Sequence, residues 1–249
     1  MRIAVAGGTG FVGRWVTEMI RQAGGSPVVL TRSAGFDLAM GDGPAEALRG
    51  VSTVIDVTNV TTTRAKKSIT FFERVTGNLL AAGQRAGVTH FIALSIVGID
   101  RVPLGYYAGK LRQEELVLSG PIPCTVLRAT QFYEFADMVL RQQPGPVTLV
   151  PKMLCQPIAA REVASALVGL ASAPPAGRVP DIAGPQQHTM SDVVRRLARA
   201  RGRHRAVIGV RFPGAAGKAM LSGALVPDGP GPRGVVPLDQ WLKTDARAS

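Results

Sequence analysis

The sequence predicts an α/β fold: a doubly wound parallel sheet with helices on both faces, carrying a small C-terminal cap. Three observations lead there. Short apolar runs alternate along the chain with segments whose apolar residues recur at helical spacing. That alternation is the pattern of a parallel sheet covered on both sides. The first run begins almost at the N-terminus and is followed at once by Gly7, Gly8, Gly10 and Gly13. Finally, 46% of the 249 residues are hydrophobic and only 18% charged, enough for a sizeable core and too apolar for global disorder.

The elements follow in order. IAVAG, from Ile3 to Gly7, is a short buried strand, and Phe11, Val12, Trp15, Val16, Met19 and Ile20 mark a helix face behind it. PVVLTR (Pro27 to Arg32) is the second strand; a helix-sized PAEALRG leads to the third, TVIDVT (Thr53 to Thr58). Phe71, Phe72, Val75, Leu79 and Leu80 line one side of a long helix ending near Gly87. HFIALS (His90 to Ser95) is a strand, a helix runs from about Gly105 to Leu118, and CTVLRAT (Cys124 to Thr130) is a strand again. Beyond Gln131 the pattern loosens. VTLV and CQPI read as strands, REVASALVGLA as a helix from about Arg161, and RVPDIAG and SDVVRRLARA as one more strand and helix, with Ser191 as N-cap. GALVPDGPGPRGVVP reads as a surface loop before a last helix at LDQWL. The expected organisation is one domain over 1–249, with a core over 1–135 and the cap over 136–249.

No run reaches the ~18–20 apolar residues of a membrane-spanning helix, and MRIAVAGG begins as a strand, not as a leader, so a cytoplasmic protein is expected. Cys124 and Cys155 have neither metal-ligand nor disulfide spacing and are read as reduced core residues. His90, His188 and His204 stand too far apart to pair as ligands, and no metal is expected. The net charge of +12 has its densest stretch in RRLARARGRHR, Arg195 to Arg205. It is read as a solvated helix end; without interleaved aromatics or a DNA-binding pattern, nucleic acid is not expected as a partner.

The glycines sit where a strand hands over to a helix, a place where backbone amides and the helix dipole hold an anion. A side chain in the turn would keep a pyrophosphate off the backbone, and one at Gly13 would push helix and sheet apart. The run reads as G-x-G-x-x-G from Gly8 or G-x-x-G-x-x-G from Gly7, a dinucleotide-binding pattern in this strand–turn–helix context. About twenty residues on, at the end of the second strand, stand Thr31, Arg32 and Ser33, with no carboxylate before Asp37. A carboxylate there would bind ribose hydroxyls and repel a phosphate, whereas a guanidinium and a hydroxyl accept one, so NADP(H) is expected over NAD(H).

In SIVGIDRVPLGYYAGKLRQEE, Ser95 closes a strand at the ligand-binding carboxyl edge, and Tyr106 and Lys110 lie four apart on one helix face. An ammonium beside a phenol lowers its pKa of ~10. Such a tyrosine can protonate a carbonyl oxygen as hydride arrives, with Ser95 as a hydrogen-bonding partner of that oxygen and Lys110 holding the nicotinamide ribose. Tyr107 is adjacent, and only one of the two phenols can face a cofactor. Asp56, inside an apolar strand, is read as bonding neighbouring loop amides. Phe132, Tyr133, Phe135 and Met138 divide between core and the wall of an apolar pocket.

With GGTGFVG, VIDVTN, HFIALSIVG, YYAGK and LRATQFYEF, the chain resembles the short-chain dehydrogenase/reductases, in particular the atypical NmrA-like, isoflavone-reductase-like branch of NAD(P)H-binding proteins. The likeness spans residues 1–135 and reaches into the cap at REVASALVGLA. It implies a Rossmann-type fold with NADP(H) along the strand carboxyl ends. The pyrophosphate would meet Gly7, Thr9, Gly10, Phe11, Val12 and Gly13, and the 2′-phosphate Arg32 and Ser33. Thr58, Asn59 and Val60 would lie by the adenine and ribose, Lys110 by the nicotinamide ribose, and Thr130, Gln131 and Phe132 near the nicotinamide. The expected function is a cytosolic NADPH-dependent reductase of a small, mostly apolar carbonyl or enone substrate, with Tyr106 as acid, Lys110 as support and Ser95 as oxyanion partner. The alternative is a cofactor-sensing regulator without turnover, a kind the NmrA-like branch also contains. A nucleotide-sugar epimerase or dehydratase with retained NAD is opposed by Arg32. Homodimerisation is compatible with the long helices of this fold.

Overall fold

The computed structural model describes residues 2–41 and 44–244. In chain order the elements are β1 (Arg2–Ala6), α1 (Gly13–Gln22), β2 (Ser26–Leu30), α2 (Pro44–Ala47), β3 (Thr53–Asp56), α3 (Ala65–Ala86), β4 (His90–Ile96), α4 (Gly105–Leu118) and β5 (Cys124–Ala129). They continue as α5 (Tyr133–Gln142), β6 (Val147–Pro151), β7 (Leu154–Cys155), α6 (Ala160–Ala171), β8 (Gly177–Arg178), β9 (His188–Thr189), α7 (Met190–Ala200), β10 (Ala206–Val210), α8 (Gly214–Leu221) and α9 (Leu238–Thr244). A single 3-10 turn, Arg32–Ala34, follows β2.

The chain divides into two compact units. The first comprises 1–99, 104–128 and 161–179, and the second 100–103, 129–160 and 180–249. The division falls after Arg128, and the chain of α6 from Arg161 on, with β8, belongs to the first unit. In that unit lies the predicted doubly wound sheet, six strands in the order β2-β1-β3-β4-β5-β8. β1 pairs in parallel with β2 and β3, β3 with β4, and β5 with β8. β1 and β3 are neighbours although β2 lies between them in sequence, so the strand order reverses here. Open α/β sheets bind ligands at the carboxyl ends of such a switch point.

Burial explains the near-continuous apolar reading of these strands: all four residues of β3 and the first six of β4 are buried. Val54, Leu79, Phe91, Val117 and Val126 meet in one core cluster beneath α3 and α4. α3 ends at Gly87, whose φ of +76° makes the left-handed C-cap that glycine adopts without strain. α3 and α4 approach unusually closely: a Cβ on Gly109 would lie 2.1 Å from Ser68 Oγ and 2.6 Å from the Ser68 carbonyl carbon.

Beside β4 and β5, Glu114 of α4 is buried and accepts two 2.8 Å hydrogen bonds from Arg128 and one of 3.0 Å from Arg178. Burial pushes the Glu114 pKa up. The hydrogen bond from Arg128, the nearby Ser95 hydroxyl and the two guanidinium charges outweigh that, leaving it below the ordinary carboxylate range.

In the second unit, β6 and β10 form a two-stranded parallel sheet and β7 and β9 an antiparallel pair. The N-cap of α7 is Thr189, not Ser191: the Thr189 hydroxyl accepts from the Asp192 amide at 3.2 Å, and the helix starts one residue before Ser191. The strand expected in RVPDIAG shrinks to Gly177–Arg178. Tyr133 is fully buried, donates to the Val236 carbonyl at 3.1 Å and stacks 5.2 Å from Trp241, whereas Phe132, Phe135 and Met138 are half-buried. Cys155 is buried and Cys124 partly so, both free thiols.

Two glycine substitutions should part company. Gly109→Ala forces α3 and α4 apart and should cost about 1–3 kcal/mol in chemical denaturation. Gly77→Ala, at an α3 position where a Cβ meets nothing within 4 Å, should gain roughly 0.5–1 kcal/mol.

Candidate functional site

The glycine turn between β1 and α1 shows two kinds of glycine. Gly7 has φ +79°, and a Cβ on it would lie 2.9 Å from the Val57 carbonyl oxygen. A Cβ on Gly13 would sit 2.2 Å from the Gly7 carbonyl oxygen, and one on Gly8 2.8 Å from a Val29 methyl. These three are required by the protein's own packing. Gly10 is different: its Cβ would touch only the Gly7 oxygen, at 3.3 Å, and it lies exposed between Thr9 and Phe11. Hydrogen bonds tie the turn to its neighbours. The Gly7 amide donates to the Leu30 carbonyl at the end of β2, and the Val57 amide, just beyond β3, donates to Ala6.

α1 has no side-chain cap and no acidic residue in its first turn. The Arg14 amide is already met by the Gly10 carbonyl at 3.1 Å, and no side chain caps the positive dipole end of the ten-residue helix, which is therefore open to an anion. Two guanidinium groups pack against Trp15 in the first turn of α1, Arg14 at 5.6 Å and Arg161 of α6 at 5.8 Å from its ring centre. Sequence reading missed Arg161, because nothing local links α6 to the turn. Arg32 and Ser33 lie exposed in the 3-10 turn after β2, with the Thr31 and Ser33 hydroxyls 3.1 Å apart. This uncapped turn, its exposed glycine and the clustered cations fit a dinucleotide's phosphates.

Across the switch point, Asp56 ends β3 wholly buried. Its Oδ1 accepts from the Thr58 amide at 2.9 Å and the Thr58 hydroxyl at 2.7 Å, the loop-bonding role read from sequence. Its Oδ2 accepts from Gln113 Nε2 at 2.8 Å. The Gln113 carbonyl oxygen in turn accepts from Lys110 Nζ, which also donates to the Leu94 carbonyl at 2.6 Å and lies 4.8 Å from the Phe72 ring centre. Burial lowers the Lys110 pKa to about 8, although Asp56 and Glu114 act to raise it. Gln113, three residues after Lys110 on the same helix, is the member that sequence reading missed; as a polar residue at i+3 it gave only a weak signal.

Tyr106 is half-buried, and its hydroxyl donates to Asn59 Oδ1 at 2.6 Å, an oxygen that also accepts from the Val60 amide. Tyr107 is buried, so Tyr106 is the phenol that reaches the sheet edge. The expected lowering of the phenol pKa does not hold. Burial, and then Tyr107, push Tyr106 above its ordinary value, because Lys110 is turned to Leu94 and Gln113. Ser95, expected at the open edge, is 2% exposed beside Glu114; β4 runs on to Ile96 and turns this side chain inward.

Thr130, Gln131 and Phe132 belong to the second unit. There the Thr130 hydroxyl donates to the Gln156 carbonyl at 2.6 Å, Gln131 Nε2 donates to Leu225 at 3.3 Å, and Phe132 bridges to Ile158. Among the described residues no group of His, Cys, Asp or Glu could hold a metal ion, and no helix is long and apolar enough to cross a membrane.

No protein-family model and no curated protein matches this chain. Solved structures share its fold. MoeE5 in complex with UDP-glucuronic acid and NAD aligns over 99% of this chain and 98% of its own, with a TM-score of 0.75 and 17% identity. The UDP-glucose 4-epimerase of Thermus thermophilus, in complex with NAD, aligns over 84% and 86%, with TM-score 0.67 and 21% identity. RMD from Pseudomonas aeruginosa complexed with NADPH aligns over 99% and 97%, with TM-score 0.68 and 17% identity. At identities this low, the likeness shows a common Rossmann-type fold alone.

The lowered Lys110 pKa has a testable sign. Between about pH 8 and the unfolded value near 10.5, the unfolded chain binds the proton that the folded chain has lost. Stability therefore rises with pH through that window, and the penalty of burying the ammonium is complete below about pH 8. Measured as the difference from Lys110→Met, which lacks the titration, the wild-type unfolding free energy should climb from about pH 8 to pH 10.

Proposed function

We propose that this protein is an NADP(H)-dependent oxidoreductase of the short-chain dehydrogenase/reductase kind, acting as a reductase on a carbonyl or enone group. The observation that carries the reading is a convergence at the β1/β3 switch point, where an uncapped, cation-flanked glycine turn lies on one side and Tyr106, held by Asn59, on the other. The NAD and NADPH bound in the fold neighbours are of the class this edge would accept.

The turn around Thr9–Phe11 and the first turn of α1 would hold the pyrophosphate, and Arg32 with Ser33 the 2′-phosphate. Lys110 would turn from Gln113 towards the nicotinamide ribose. Bound there, the cofactor supplies the hydride. Tyr106 supplies the proton: its O–H bond breaks as the substrate oxygen gains the proton. The phenol is protonated at neutral pH, the state required of an acid; burial and Tyr107 raise its pKa and make it a weaker acid than a phenol in water.

Fluorescence titration should show NADPH binding more tightly than NADH. Arg32→Glu should remove most of that preference, about tenfold, through loss of a charge-assisted contact and added repulsion. NADPH consumption is then followed over a panel of ketones, enones and quinones. Tyr106→Phe should lower turnover of any active member by about 10²–10⁴ with the NADPH dissociation constant unchanged. Tight binding with no turnover on the whole panel would replace the reductase by a cofactor-sensing regulator, and failure to bind either nucleotide would overturn the proposal.

A further inference from the structure

The two-stranded sheet of the second unit has a face and an edge that nothing in that unit covers among the described residues. β6 and β10 pair in parallel with Val147 opposite Ala206, Leu149 opposite Ile208 and Pro151 opposite Val210. Thr148 and Val150 point inward and are buried. On the outer face Val147, Leu149, Ile208 and Val210 are 43, 51, 49 and 43% exposed, and Phe212, just past β10, is 42% exposed. Single exposed apolar side chains are ordinary; a contiguous apolar face marks an interaction site.

The two edges are treated differently. Ala206 donates to Pro146, and Lys152 donates to Val210, so even-numbered residues of β10 bond to β6. On β6 the odd-numbered Leu149 faces away, and the Gln143 carboxamide satisfies it on both sides, donating to its carbonyl at 2.9 Å and accepting from its amide at 2.8 Å. That side chain closes the β6 edge as a neighbouring strand would. At β10 the corresponding residues are Val207 and Gly209; no strand pairs with them among the described residues. An unprotected edge is a template for another strand.

Charge identifies the occupant. Residues 138–160 and 193–227, which supply β6, β10 and their flanks, contain ten Lys or Arg and no Asp or Glu. Arg141 and Arg201 are drawn to Asp137, Arg195 to Asp192, and Arg196 to Asp192 and Asp239. Beside the start of β10, Arg195, Arg199, Arg203, His204 and Arg205 line a hollow of about 340 Å³ with Val207. A second copy would bring like charges together. A lipid surface would leave the edge amides of Val207 and Gly209 without partners in hydrocarbon. A nucleic acid would gain little from an aliphatic face. An extended peptide meets all three demands, supplying main-chain partners, apolar side chains on alternate positions and carboxylates between them.

We propose that the outer face and open edge of β10 dock an extended acidic segment of another protein, whose alternate apolar side chains cover Leu149, Ile208 and Val210 and whose carboxylates meet the arginine-lined hollow. The probe is an N-acetylated, fluorescently labelled short peptide alternating glutamate and valine, titrated into the full chain by anisotropy, with a lysine–valine peptide as control. Saturable binding of the acidic peptide alone is expected. Two variants should each weaken it by about tenfold or more with unchanged thermal midpoint: Val207→Pro, which deletes one outward amide and spares the β6 ladder, and the exposed double change Arg199→Glu with Arg203→Glu. Should Val207→Pro lower the midpoint, the charge-reversal variant decides alone. The proposal is overturned if the acidic peptide fails to bind, if both peptides bind equally, or if the charge reversal leaves binding unchanged. It is likewise overturned if the apolar face instead drives self-association in sedimentation, or if the chain binds phosphatidylserine vesicles in a way lost on Leu149→Glu.

Discussion

The arrangement of the sheet edge depends on one buried carboxylate. Asp56 is fully enclosed at the end of β3, and a charge taken out of water has to be met by hydrogen bonds. It is met from three directions: Thr58 folds the loop after β3 back upon it, Gln113 reaches it from α4, and the Thr76 hydroxyl of α3 donates to it at 3.5 Å. The first contact sets the course of the chain into Asn59, the acceptor of the Tyr106 hydroxyl. The second hands the Gln113 carbonyl to Lys110. The phenol and the ammonium, one helical turn apart, are thus directed to different places by the same carboxylate, and their pKa shifts follow from burial more than from each other.

The glycine turn separates two demands often treated as one. Gly7 and Gly13 bring α1 against β1 and the end of β3 so closely that a methyl group at either would strike backbone. That packing aims the helix entry at the switch point. Gly10 has no comparable neighbour and stays exposed, so its lack of a side chain matters to whatever approaches from outside. Packing glycines and a ligand-facing glycine share one motif, and substitution at each should be read against a different quantity: stability for the first, affinity for the second.

The second unit differs in its electrostatics. In the first, the buried Glu114 is paired with Arg128 and Arg178. In the second, two acid-free stretches concentrate positive charge around a thin sheet, one edge of which is closed by Gln143 while the other stands open. A protein of net charge +12 does not carry it evenly, and the uneven part adjoins the exposed apolar face of Val147, Leu149, Ile208 and Val210.

The sequence by itself determined the alternation of strands and helices through β5, the glycine turn, the placement of Arg32 and the spacing of Tyr106 and Lys110 one turn apart on α4. Those follow from local periodicity and from fixed spacings on single elements. It could not show β10, whose five residues adjoin the arginine run and alternate only weakly, nor the N-cap at Thr189, which depends on one hydrogen bond. Tertiary structure alone decided that Lys110 faces Leu94 and Gln113, that Ser95 is enclosed beside Glu114, and that Arg161 stands by Trp15. Each of these is a matter of packing between elements, and side-chain direction across such a contact is set by the neighbours that fill the space, not by propensity.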